Sequence, residues 1–184
     1  MIGENVAQLL QSLVGTSRSY RLDEDEPQLA AELGLKSPIV GTLKLTRTNH
    51  GILAEAHYSV EIEQECGRCL EPARSTIVSD LSEEFLPSLD IVTGQPVNIP
   101  ADPDEPRVSP NHVLDLTESV RQDIVVQQPL QPLCRPDCPG LCVECGQELQ
   151  QGTCTCMNDD GPLSDNPALS RLGELLKSRL QPGT

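Results

Sequence analysis

In the stretch Ile52-Leu53-Ala54-Glu55-Ala56-His57-Tyr58-Ser59-Val60-Glu61-Ile62-Glu63, apolar and polar side chains alternate almost without a break. Ile52, Ala54, Ala56, Tyr58, Val60 and Ile62 share one face; Glu55, His57, Ser59, Glu61 and Glu63 share the other. A period of two with one wet face is the signature of a half-buried strand, and such strands belong to antiparallel rather than parallel sheets. Upstream, Ile39, Leu43 and Leu45 alternate in the same way, with Gly41 at the fourth same-face position. Asn49-His50-Gly51 lies between the two runs and reads as a turn. Tyr20-Arg21-Leu22 opens a further strand ahead of the acidic run Asp23 to Glu26, and another is expected from about Ser75 to Phe85.

Helical spacing appears in three places. Val6, Leu9, Leu10, Leu13 and Val14 form one apolar stripe, stopped by Gly15. Val113, Leu116, Val120 and Ile124 form another, on a helix from about Leu116 to Gln127 that Pro129 ends; Asp115 with Glu118 resembles a capping box. A last helix has Asn166 as N-cap and Pro167 in its first turn; Leu169, Leu172, Leu176 and Leu180 share a face, with Arg171, Lys177 and Arg179 outside. Between residues 87 and 110 stand six prolines and the acids Asp90, Asp102, Asp104 and Glu105, which read as an acidic excursion because proline brings no amide to a ladder. The expected fold is therefore α+β: an antiparallel sheet or partly closed barrel, a few helices, and a C-terminal cysteine-rich, zinc-ribbon-like segment. The expected organisation is a core at 1–130 with the excursion at 87–112, a zinc-binding segment at 131–160, and an amphipathic helix at 161–184.

Charge narrows the partners. Twenty-eight acids against thirteen bases leave −15 over 184 residues. General attraction to nucleic acid comes from Lys and Arg displacing counterions at phosphates, so this chain lacks that grip. Tyr20, Tyr58 and Phe85 are its whole aromatic content, too little for a base-stacking platform. Contact with RNA must be local or made through a basic protein. No apolar run approaches the ~18 residues that span a bilayer, and Met1 to Asn5 lacks a basic start and long apolar stretch. The chain is expected in the cytoplasm, where eight thiols point to metal rather than disulfides.

Cys142-Val143-Glu144-Cys145-Gly146 followed by Cys154-Thr155-Cys156 carries the strongest chemical signal. Two residues between thiolates let both sulfurs reach one ion at about 2.3 Å, and a second pair across a short hairpin completes a tetrahedron. Zn2+ suits four thiolates best; spacing alone also admits an iron–sulfur cluster. Cys66-Gly67-Arg68-Cys69 by itself resembles a redox pair, but it ends an antiparallel strand instead of opening a helix. With Cys134 and Cys138 it would hold a second Zn2+ and pin the segment after the helix to the tip of the sheet. A swapped arrangement would place Cys134, Cys138, Cys142 and Cys145 on one ion, and His112 is a weak substitute ligand. Four thiolates leave no open position for a substrate. Neither a phosphate loop nor the His-x-Glu of zinc deaminases is found, and His50 and His57 read as ordinary exposed histidines. A non-enzymatic protein is expected; the alternative is a thiol/zinc redox sensor or chaperone.

Asn5-Val6-Ala7-Gln8-Leu9-Leu10, Val14-Gly15-Thr16-Ser17-Arg18-Ser19-Tyr20, Cys66-Gly67-Arg68-Cys69-Leu70-Glu71 and Pro132-Leu133-Cys134 resemble the bacterial YceD family. So do Gly140-Leu141-Cys142-Val143-Glu144-Cys145-Gly146-Gln147-Glu148-Leu149 and Cys154-Thr155-Cys156. The resemblance implies a factor for 23S ribosomal RNA accumulation and large-subunit assembly. Its partner would be a precursor large subunit or a basic ribosomal protein. Cys66 and Cys69 match the pair most members share, and the other six cysteines match the cysteine-rich subset.

Overall fold

The computed structural model describes residues 1–91, 93–97, 106–152, 154 and 156. Two compact units divide the chain, Met1–Pro136 and Asp137–Thr184. In the first, β1 (Gly3–Asn5) leads into a single helical turn, α1 (Ala7–Leu10), and then β2 (Ser17–Glu24) and α2 (Pro27–Leu33). Next come β3 (Ile39–Arg47), β4 (Ile52–Glu65), β5 (Pro72–Pro87), β6 (Arg107–Val108), β7 (Val113–Asp115) and α3 (Thr117–Gln127). β2 to β5 form an antiparallel meander in chain order, to which β6 adds in parallel at Leu86 and Pro87; β1 pairs with β7 in a separate ribbon. Among the described residues β2 and β6 do not pair, so the sheet stays open and is not a barrel. A two-residue strand bonded to one end of β5 leaves too short a ladder to close one.

The alternation in β4 translates directly into burial. Ile52, Ala54, Ala56, Tyr58, Val60 and Ile62 are all buried, joined from β3 by Ile39, Leu43 and Leu45 and from β5 by Ile77 and Phe85. Leu116, Val120 and Ile124 of the α3 segment complete this side of the core. Asp115 Oδ1 accepts from the amide of Thr117 at 2.9 Å, but the N-cap of α3 is Leu116, whose side chain makes no capping bond. Glu118 makes no capping box; it takes Arg121 at 2.7 Å and Gln122 at 2.8 Å instead. The Arg121 guanidinium holds its carboxyl down at about 2. Arg121 also reaches Glu32 of α2 at 3.2 Å, which ties α3 to α2.

The first expected helix is cut to one turn. Leu9 and Leu10 are buried, but Leu13 and Val14 are exposed. Gly3–Asn5 is drawn into β1, the Val6 amide donates to the His112 carbonyl, and the Ser12 hydroxyl donates to the Leu9 carbonyl at 2.6 Å, ending the helix early. α2 was not expected; the acidic run supplies its N-cap Glu26, Pro27 sits in its first turn, and Gly34 closes it in the left-handed region. Pro106 to Val108 of the proline-rich excursion pack on the sheet, which their composition does not suggest. The Leu86 amide donates to Pro106 and Val108 is buried. The acids Asp102, Asp104 and Glu105, and the final helix with Arg171, Lys177 and Arg179, lie outside the described residues. Among the described residues no helix is long and apolar enough to cross a membrane.

Tyr58 fastens α3 to the sheet. Its hydroxyl donates to Asp123 Oδ2 at 2.5 Å from a buried position. Burial, and then the neighbouring Asp123 carboxylate, hold the phenol protonated well above its ordinary value. The folded state thus keeps a proton that the unfolded chain releases above about pH 10, and stability falls as pH rises through that range. Tyr58→Phe is expected to lower stability by about 1–2 kcal/mol at neutral pH and to flatten this alkaline loss. Urea titrations at pH 7 and between pH 9 and 11 check both outcomes.

Candidate metal centres

None of the eight cysteines is in a disulfide, and they gather into two groups. Cys66, Cys69, Cys134 and Cys138 form one; Cys142, Cys145, Cys154 and Cys156 form the other, and within each group the sulfurs lie within 4.8 Å of one another. A Zn–S length near 2.3 Å sets tetrahedral sulfur–sulfur separations of about 3.8 Å, far beyond the ~2.05 Å of a disulfide. Cys69 and Cys134 stand 3.6 Å apart, and Cys142 and Cys154 3.3 Å apart. Both groups can hold a metal ion. The swapped arrangement, with Cys134 and Cys138 beside Cys142 and Cys145, does not occur. His112 is in neither group, and neither is His50 or His57. His57 Nδ1 pairs with Asp80 Oδ1 at 2.6 Å on the exposed face of the sheet.

In the first unit β4 and β5 deliver Cys66 and Cys69 on the turn between them. The Cys66 amide donates to Glu71 at 2.8 Å and the Leu70 amide returns to Cys66 at 3.0 Å, closing a tight knuckle. The Gly67 amide donates to Pro132 at 2.8 Å, which seats the segment after α3 on this turn and brings Cys134 alongside. Amides of Cys134, Arg68 and Cys69 aim at the Cys66 sulfur and lower its thiol to about 6.

The second unit repeats the knuckle bond for bond. The Cys142 amide donates to Gln147 at 2.8 Å and the Gly146 amide to Cys142 at 2.9 Å. Leu141 bridges Glu148, the Leu149 amide donates to Gly140 at 3.0 Å, and a 3-10 turn at Leu149–Gln151 carries the chain onward to Cys154. Amides of Cys145 and Glu144, with the Cys154 thiol, lower Cys142 to about 7. Cys156 moves the other way, to about 12: the Cys145 sulfur, burial, and the negative charge of its neighbours all oppose its ionisation. Several thiolates at this spacing repel unless a cation sits among them, and the donor set, all sulfur, selects a thiophilic one.

At their left-handed position the two knuckles carry different residues, and the cysteine spacing holds no sign of it. Gly146 occupies the left-handed region at φ +72°; the equivalent residue of the other knuckle is Leu70, at φ +64° and exposed. A Cβ in that conformation costs roughly 1 kcal/mol. Leu70→Gly is accordingly expected to raise the stability of the chain by up to about 1 kcal/mol, read from the midpoint of urea unfolding.

A family model described as large ribosomal RNA subunit accumulation protein YceD matches residues 54–176, which include all eight cysteines. An uncharacterized protein of Mycobacterium tuberculosis is 31% identical over 107 residues, covering 58% of this chain and 49% of the relative. One of Mycobacterium leprae is 26% identical over 113 residues, covering 61% and 50%. The chain spans about half the length of these curated relatives. No solved structure matches it. With the family match running from β4 through both cysteine groups, the chain belongs to the YceD family of large ribosomal RNA subunit accumulation proteins.

Proposed function

We propose that this protein is a non-enzymatic factor of the cytoplasm that supports 23S ribosomal RNA accumulation and large-subunit assembly. It does so by binding a basic ribosomal protein, free or on a precursor subunit, while Zn2+ in the two four-thiol groups holds the binding surfaces in shape. The observation that carries this reading is the family match across residues 54–176, joined to a net charge of −15. A strongly negative surface is repelled by bare RNA and steers toward Lys/Arg-rich protein. Each Zn2+ held by four thiolates adds about two further negative charges, which sharpens that preference. Four sulfur ligands fill a tetrahedral site, so the metal's work here is structural.

Gradient fractionation of cell extract tests the reading: the protein should travel with precursor large subunits and not with mature ribosomes. Purified wild-type protein should bind at least one large-subunit ribosomal protein, more weakly as salt rises, and should not bind naked 23S fragments tightly. Tight binding to naked RNA with no affinity for any ribosomal protein would reject it. The redox alternative makes a different demand, that mild peroxide releases the metal stoichiometrically and increases binding. Cys145, exposed where Cys142 and Cys154 are buried, is the thiol that peroxide would reach first in that group.

A further inference from the structure

β5 is paired along one side only for most of its length. From Pro72 opposite Glu65 to Phe85 opposite Ile52 every residue faces β4, while on the outer side β6 meets only Leu86 and Pro87. Among the described residues no backbone group takes the outer amides and carbonyls of 72–85. Open edges are ordinarily blunted by charge, proline, bulges or a covering element. β5 has Pro72 and Arg74 at one end and Asp80, Glu83 and Glu84 towards the other, but Ser75-Thr76-Ile77-Val78-Ser79 carries neither charge nor proline. Val78 is 61% exposed there. A groove of roughly 270 Å3 runs beside this same run, lined by Ser75 to Val78 and, across from them, Gln127 and Pro129. The chain neighbours of that far wall, Val126 and Leu130, are exposed as well.

We propose that the outer edge of β5 at Ser75–Ser79 receives an extended, Lys/Arg-rich segment of a partner protein as an added strand. This rests on the reading that the partner is a basic protein and adds where and how it binds. Strand addition supplies main-chain hydrogen bonds along the edge, and the groove takes the alternate side chains. Charge selects the occupant. Asp80 and Glu84 extend the docking line with exposed carboxylates, within a chain of net −15. A second copy is disfavoured by the net repulsion between two bodies of −15 each. The opposite edge of the sheet, β2, is less acidic, because its exposed Arg18 and Arg21 offset Asp23 and Glu24.

The test uses the full-length, metal-loaded chain and a twelve-residue peptide alternating Lys and Val, with a Glu/Val peptide of the same length as its counterpart. The Lys/Val peptide should bind and slow amide hydrogen exchange within residues 72–80; the Glu/Val peptide should not bind. Thr76→Lys with Val78→Lys, both at exposed positions, should weaken binding at least tenfold. Ser17→Lys with Ser19→Lys puts the same charge on the β2 edge and should change it less than threefold. Equal losses in the two variants, protection elsewhere, or no binding of the Lys/Val peptide would overturn the proposal. So would edge amides already protected in the free monomer, which would mean this chain covers its own edge, or protected by self-association, which would mean a second copy does. Individual large-subunit ribosomal proteins separate this proposal from the broader one. If one binds the wild type and the Thr76/Val78 variant equally, the partner reading stands and the edge is wrong; if none binds the wild type, the partner reading fails.

Discussion

Replacing Cys142 and Cys154 together by serine is expected to take the metal content from two equivalents to one and to unfold residues 141–156. Past Pro136 the buried side chains among the described residues are Cys138, Cys142 and Cys154; Leu141 and Leu149 are only half-buried and Val143 is exposed. These residues form no aliphatic core to offset the entropy of ordering the hairpin, which runs at about 1–2 kcal/mol per residue. Structural zinc in small domains contributes on the order of 10–16 kcal/mol of apparent folding free energy, and no other interaction described in this segment approaches that. Amide exchange should therefore rise throughout 141–156 while β2 to β5 keep their protection. The double variants also test the grouping. Cys66→Ser with Cys134→Ser should likewise leave one equivalent, because both sulfurs belong to one group. Under the swapped arrangement those two substitutions would strike different sites and leave none. Metal analysis of the three purified proteins separates these outcomes, and a wild-type chain holding a single equivalent would defeat the two-site account.

Gly41→Ala should cost about 3 kcal/mol, the larger end of what overpacking does. A Cβ at Gly41 would lie 2.1 Å from the His57 carbonyl oxygen and 2.7 Å from the Tyr58 Cα, both backbone atoms of β4 that no rotamer change can move aside. Gly41 stands directly opposite Tyr58 in the register, so the methyl would force apart the two strands that carry most of the core and disturb the Tyr58–Asp123 bond. Gly146→Ala is the informative contrast. Nothing lies within 4 Å of the Cβ it would gain, and only the left-handed backbone resists it. That change should cost about 1 kcal/mol. Chemical denaturation of the two variants should show the first loss well above the second; near-equal losses would mean that β3 and β4 relax more easily than their spacing implies.

Much of the sheet is legible in the residue pattern itself. A half-buried strand must alternate, so β3, β4 and most of β5 follow from Ile39 to Phe85 with only their ends misjudged. The α3 stripe is equally plain, since Leu116, Val120 and Ile124 sit one helical turn apart and all are buried. The stripe from Val6 to Val14 has the same spacing and fails. Periodicity says which side chains would share a face if a helix formed, but not that Gly3–Asn5 would pair with β7 and that Ser12 would bond back to Leu9. α2 leaves little trace in the pattern because its apolar face is small, with Leu29 its one buried residue.

The cysteines divide along the same line. Both CxxC knuckles and the CxC are visible because ligands for one ion must be close in sequence or meet across a short hairpin. That covers Cys142, Cys145, Cys154 and Cys156 almost entirely. It does not cover Cys134, which is 65 residues from its neighbour Cys69 and arrives only because α3 packs on β5 and Gly67 holds Pro132. The strained Leu70 and the unblunted edge of β5 belong to the same class. A positive φ depends on a knuckle's closing hydrogen bonds, and an edge is defined by which strand fails to acquire a neighbour. Sequence alone determined the strand faces, the α3 face, the acidic character and the cysteine ligand chemistry, since each is a short-range property of residue type and spacing. Tertiary structure alone decided that Cys134 comes beside Cys69, where the sheet stops and which side of β5 is left open. Those depend on contacts between residues far apart in the chain, and local spacing holds no information about them.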